Sequence, residues 1–177
     1  MMKYQDVFRR YEKKYMLNEQ QYSVLMQHLK DYIAEDQYGR HIVGSIYFDT
    51  DSYELIRTSI EKPVYKEKLR LRAYETPKKE DPVFIELKKK YKGVVYKRRV
   101  QLQLDDALVY LLHGKQPPFT SQILHEIDWF LARYQPVPKV YIACDRAAYT
   151  GLADKDLRIT FDCGIRFRET CLDLAKG

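Results

Sequence analysis

Four short stretches of the chain alternate charged and apolar side chains: Tyr11-Glu12-Lys13-Lys14-Tyr15, Lys68-Leu69-Arg70-Leu71-Arg72, Phe84-Ile85-Glu86-Leu87-Lys88 and Val95-Tyr96-Lys97-Arg98-Arg99. In a β-strand, residues two apart share a face. Arg70 and Arg72 therefore stand together, opposite Leu69, Leu71 and Ala73. Glu86, Lys88 and Lys90 stand opposite Ile85 and Leu87, while Lys97 and Arg99 share a face with Gln101 and Gln103. Like charges this close repel one another, so a surface that gathers them is suited to a polyanion. One such strand would be an ordinary solvated face. Solvated faces, however, mix Thr, Ser, Gln and both charge signs. Four strands dominated by cations, with scattered Glu, favour an anion site.

These strands must be held by a larger scaffold. The spacing predicts a strand from about Phe8 to Leu17. Asn18 then caps a helix, with Gln21 as capping-box partner. That helix carries Leu25, Leu29, Tyr32 and Ile33 on one side and ends before Gly39. Val43 to Asp49 reads as a strand and Asp51 to Thr58 as a short helix. Tyr65 to Tyr74 is the Arg-Leu-Arg strand, followed by a polar turn at Thr76 to Pro82. Val83 to Lys90 and Val94 to Leu104 form a hairpin turning near Lys92-Gly93. Asp105 caps a short helix that stops at Gly114, and Thr120 to Tyr134 is a stronger helix with Ile123, Ile127, Phe130, Leu131 and Tyr134 on one stripe. Trp129 on that helix reads as core. Three last strands are expected at Lys139 to Ala147, Leu157 to Asp162 and Ile165 to Arg168. The count is seven or eight strands with helices between them, an antiparallel α+β domain spanning residues 1–177. If such a sheet closes, its cationic face points inward and the apolar outer face is covered by helices.

The 177 residues suffice for one domain with a real core, and 45% are hydrophobic, which excludes a disordered polymer. The net charge of +6 suits acidic partners. Cys144, Cys163 and Cys171 are odd in number and widely spaced, which argues against a disulfide framework or a zinc site and reads as thiols of a reducing cytosol. No run approaches the roughly 20 apolar residues of a membrane span, and the N-terminus lacks the apolar stretch of a signal peptide. The expectation is a cytoplasmic protein. The four histidines are dispersed without metal-ligand spacing, and no GxxxxGK[ST] phosphate loop is present.

The motifs Arg10-Tyr11-Glu12-Lys13-Lys14-Tyr15, Ser45-Ile46-Tyr47-Phe48-Asp49-Thr50, Lys68-Leu69-Arg70-Leu71-Arg72, Glu86-Leu87-Lys88, Lys97-Arg98-Arg99, Asp145-Arg146-Ala147-Ala148-Tyr149 and Leu157-Arg158-Ile159-Thr160-Phe161-Asp162 occur in this order. In that order and spacing the chain, from about Phe8 to Gly177, resembles VTC domains. These are the polyphosphate polymerase domains of the CYTH-like, or triphosphate tunnel metalloenzyme, superfamily. The resemblance implies a closed antiparallel tunnel with basic walls, ATP as phosphate donor, inorganic polyphosphate as product and Mn or Mg as cofactor, with no nucleic acid as partner. It implies that Lys14, Arg70, Arg72, Lys88, Lys97, Arg146 and Arg158 hold phosphates, Lys14, Arg70, Arg72 and Lys88 being the catalytic set. Arg166 and Asp162 follow the Arg158 strand as in the family. Phosphoryl transfer needs in-line positioning and neutralisation of charge on the oxygens, which Arg and Lys side chains supply.

The family pattern also has a late strand bearing a metal-binding Glu and a further Lys. The chain stops at Gly177, where that segment would begin, so the expected tunnel lacks its last strand. Glu86 and Glu12 are then the acidic groups left to hold a metal, or to neutralise neighbouring cations. The first strand has Arg10 where triphosphatases and class IV cyclases of the superfamily carry the first Glu of Glu-x-Glu-x-Lys. That disfavours both activities. A triphosphate or polyphosphate hydrolase and a non-catalytic polyphosphate-binding module remain the alternatives.

Overall fold

The computed structural model describes the backbone of Val7–Arg10 and residues 12–177. Its elements are β1 (Val7–Arg10), α1 (Glu19–Leu29), β2 (Ile33–Asp49), α2 (Glu54–Ile60), β3 (Tyr65–Tyr74), β4 (Pro82–Tyr91), β5 (Val94–Gln103), α3 (Leu104–His113), α4 (Gln122–Tyr134), β6 (Val137–Gly151) and β7 (Arg158–Arg168). The strands form one antiparallel sheet in the order β1-β5-β4-β3-β2-β6-β7. The α+β class, the antiparallel pairing and the peripheral helices are as expected. The sheet does not close: among the described residues β1 and β7 remain its two edges.

The alternating pattern decides which face packs. Leu69, Leu71, Ile85, Leu87, Val100 and Leu102 are buried in one cluster with Ala107, Tyr110 and Leu111 of α3 and Ile123, Leu124, Ile127 and Phe130 of α4. Each Leu, Ile, Val and Phe among them contributes roughly 1.5–3 kcal/mol by leaving water. The opposite face carries Lys68, Arg70 and Arg72 beside Lys88, Lys97 and Arg99, and the strand register sets their rows. Lys68 pairs with Lys88, which pairs with Lys97; Arg70 pairs with Glu86, which pairs with Arg99. Lys92 (φ 46°) and Gly93 (φ 85°) make the β4–β5 turn. Both lie in the left-handed region that a two-residue hairpin of this twist requires. Beneath α4 a polar cluster fixes helix to sheet: buried Glu67 accepts from the hydroxyls of Tyr65 and Tyr134, and Lys89 Nζ lies 3.7 Å from Glu67 Oε1 and 3.0 Å from Glu126 Oε2.

Several expected boundaries move. Among the described residues the strand expected over Phe8 to Leu17 is Val7–Arg10, with Arg10 paired to Val95, and residues 12–17 form no strand. Tyr11 lies outside the described residues. Residues 12–18 then run to Asn18, whose side chain and that of Gln21 form the expected capping box. The helix ends at Leu29, and Ile33, expected on it, begins the 17-residue β2. Tertiary pairing overrides helical spacing here: Ile33, Ala34 and Glu35 bond to Gly151, Thr150 and Tyr149 across a register shift that separates them from Arg40. The two last strands expected after Leu157 are a single strand, β7, through Gly164 at φ 56°. Asp105 sits in the first turn of α3, whose cap position is Gln103, and Trp129 is 53% exposed, with the Arg133 guanidinium 5.2 Å from its ring. The three cysteines are free thiols. Among the described residues no helix is long and apolar enough to cross a membrane.

Candidate functional site

The cationic face of β3, β4 and β5 is the floor of a cavity of about 2650 Å³. Lys68, Arg70, Arg72, Lys88, Lys97 and Arg99 line it. Arg146 and Arg158 line it from β6 and β7, and Lys14 from the segment after β1. The far wall is more apolar, with Tyr22, Leu25 and Leu29 of α1 and Phe161 of β7, and the Tyr22 and Phe161 rings meet edge-on at 4.9 Å. Eight cations are expected at the site from sequence, Lys14, Arg70, Arg72, Lys88, Lys97, Arg146, Arg158 and Arg166, and all but Arg166 border this one space. Arg166 lies opposite Ala143, bonds Asp145 at 3.2 Å and the Gly164 carbonyl at 3.0 Å, and does not line the cavity. The register shift in β6 between Ala143 and Asp145 changes which side chains of β7 face inward, and sequence alternation could not show it.

Acidic groups hold these cations in place. Glu86, fully buried, sits under the floor and is not part of the cavity lining. Its Oε2 accepts from Arg70 Nε at 2.7 Å and Nη2 at 2.5 Å, its Oε1 is 2.8 Å from Lys97 Nζ, and Arg72 Nη1 is 4.0 Å away. Burial works to raise the Glu86 carboxyl, but Arg70, Arg72 and Lys97 outweigh it and hold it well below the usual carboxylate range. Lys97 goes the other way: burial pushes its ammonium down to about 8, although Glu86 supports its charge. Arg72 Nε donates to Ser45 Oγ at 3.1 Å, and Arg70 Nη1 donates to Tyr47 Oη at 2.9 Å. Lys88 donates to Glu12 at 2.7 Å, Arg146 grips Asp162 with two bonds of 2.6 and 2.7 Å, and Arg158 donates to Asp36 at 2.7 Å.

The VTC domain family model matches residues 9–176. The chain belongs to the VTC domain family. Among solved structures, the VTC domain described here is similar to a Bacillus halodurans protein provisionally described as an adenylate cyclase. The two share 15% identity with a TM-score of 0.50, over 96% of this chain and 82% of that one. The likeness is one of fold, the triphosphate tunnel fold of the CYTH-like proteins. No curated protein gives a significant match.

Proteins with this fold generally depend on a divalent metal. The two acids named from sequence do not fit that part in the VTC domain as it stands. Glu86 is enclosed by three cations beneath the floor, and Glu12 is ion-paired to Lys88. No group of three or more His, Cys, Asp or Glu able to hold a metal is present among the described residues.

Sequence reasoning missed Ser45, Tyr47, Lys68 and Arg99 as lining or supporting residues. The signal was available: Lys68 precedes Arg70 by two, Arg99 follows Lys97 by two, and Ser45 and Tyr47 alternate about Ile46. What could not be read was that β2 lies beside β3 with Ser45 opposite Arg72 and Tyr47 opposite Arg70.

Proposed function

We propose that this domain binds the phosphate chain of ATP and of inorganic polyphosphate along the cationic trough and transfers phosphate from one to the other. One observation carries the reading: Arg70, Arg72, Lys88 and Lys97 converge from three adjacent strands on one cavity. In the transfer, a terminal oxygen of the polyphosphate chain attacks the γ-phosphorus of ATP. The bond from that phosphorus to the bridging oxygen of ADP breaks, and ADP leaves with the electron pair. The attacking oxygen is already anionic, so no side-chain base is required. The protein's work is alignment and charge neutralisation, with Arg giving two-pronged contacts and Lys point charges. Lys14, Arg70, Arg72 and Lys88 take the catalytic part; Lys97, Arg146 and Arg158 hold the remaining phosphates. The polyanion displaces Glu12 from Lys88 as it enters, since both compete for one ammonium.

We assign residues 1–177 to a single domain acting in the cytoplasm; the Mn or Mg expected from sequence finds no fitting set of acids among the described residues, and no step of the transfer is routed through it. A second reading, a non-catalytic polyphosphate-binding module, draws support from the ion-paired state of both Glu12 and Glu86. Incubation with ATP and Mn separates the readings. Polyphosphate formed at the expense of ATP supports the polymerase. Free phosphate alone indicates a hydrolase, and neither product with polyphosphate binding intact indicates the binding module.

A further inference from the structure

Tyr47 lines the cavity from β2, opposite Arg70 in the β2–β3 register. Its oxygen accepts from Arg70 Nη1 at 2.9 Å. A phenol oxygen that accepts keeps its own O–H to give. Among the described residues no acceptor takes it. Lys68, two residues before Arg70, lines the same cavity and lies within electrostatic reach of Tyr47. It stands opposite Lys88, which stands opposite Lys97. Unlike Arg70, Lys88 and Lys97, Lys68 has no carboxylate partner among the described residues.

We infer that Tyr47 and Lys68, together with the cavity-facing edge of Arg70, form a phosphate subsite. Its ligand is a single phosphate group of a longer chain, which takes a neutral O–H donor and an ammonium not already neutralised by the protein. This rests on the reading of the trough as a phosphate-chain site. The electrostatics agree with the geometry. Burial opposes ionisation of Tyr47, yet Arg70, Arg72 and Lys68 lower its phenol, which makes it a stronger donor. Burial pulls the Lys68 ammonium down, and Lys66, Lys88 and Lys14 add to that; a bound phosphate relieves both effects.

The experiment is calorimetric binding of tripolyphosphate, in EDTA at fixed salt, to the full chain. The variants are Tyr47→Phe, Lys68→Gln and Lys68→Arg, with Lys115→Gln in the exposed segment that follows α3 as a charge control. Tyr47→Phe and Lys68→Gln should each weaken binding roughly ten- to hundredfold, the size of one lost hydrogen bond to a charged group. Lys68→Arg should restore most of the loss, and Lys115→Gln should change little. Thermal midpoints near that of the parent chain keep the comparison one of binding. If the parent chain binds and both Tyr47→Phe and Lys68→Gln bind equally well, the subsite is overturned while the trough reading stands. If the parent chain does not bind tripolyphosphate, the trough reading fails and takes the subsite with it.

Discussion

Glu86 receives Arg70 through two hydrogen bonds to a single carboxylate oxygen, from Nε at 2.7 Å and Nη2 at 2.5 Å, at a point fully shielded from solvent. With Lys97 on its other oxygen, this carboxylate lets three cations share one small area before any polyanion arrives. Its position beneath the cavity floor makes it a counter-anion of the site.

Removing that carboxylate should be costly. Breaking a buried ion pair leaves uncompensated charge, at about 3–5 kcal/mol. Glu86→Ala should therefore lower the stability measured by urea unfolding by that order. Glu12→Gln breaks the more exposed pair with Lys88 and should cost about 1 kcal/mol or less. Equal losses in the two variants would contradict the counter-anion role.

Lys97 should give the site a pH limit on the alkaline side. Its folded value, about 8, lies below the ordinary 10.5 because of burial. Between those values the unfolded chain binds more protons than the folded one, so this group raises stability as pH rises through the window, and its destabilising effect is fully present below it. Anion affinity should move oppositely, falling as Lys97 loses its charge above about pH 8. Tripolyphosphate titrations from neutral to alkaline pH should show the decline, and Lys97→Arg, which stays charged, should flatten it.

Arg72 and Arg57 provide a matched comparison of place. Arg72 is buried against Ser45 and lines the cavity, whereas Arg57 is exposed on α2. Arg72→Ala should weaken tripolyphosphate binding by about 1.5–3 kcal/mol and Arg57→Ala by far less. Calorimetry at one salt concentration decides it, and similar losses would place the ligand elsewhere.

Asp49 should matter to folding more than to binding. Buried at the end of β2, it accepts from the backbone N–H groups of Thr50 at 2.8 Å, Leu55 at 2.9 Å and Ile56 at 2.9 Å, and so ties α2 to the strand. Asp49→Ala leaves buried donors unpaired and should cost on the order of 2 kcal/mol. The thermal midpoint should fall while tripolyphosphate affinity, measured where the variant is folded, stays near the parent value.

Local rules were enough to locate the cationic surface. Period-two alternation put Arg70 with Arg72 and Lys97 with Arg99, because a strand has only two faces. The Asn18–Gln21 box and the Gly114 stop marked helix ends, because caps involve neighbours three or four residues apart. The hairpin at Lys92-Gly93 was legible for the same reason, since its turn is set by two residues.

Tertiary structure decided what depends on partners distant in the chain. It set the 17-residue length of β2, which β6 extends backward through Ile33. It exposed Trp129 and turned Arg166 away from the cavity. It brought Tyr47 and Lys68 to one corner and placed Glu86 beneath three cations, contacts that span 16 to 23 residues of sequence between Arg70 and its two partners. Alternation tells which face a side chain takes; only the register between strands tells which charges meet on that face, and that register is set by the packing of the whole sheet.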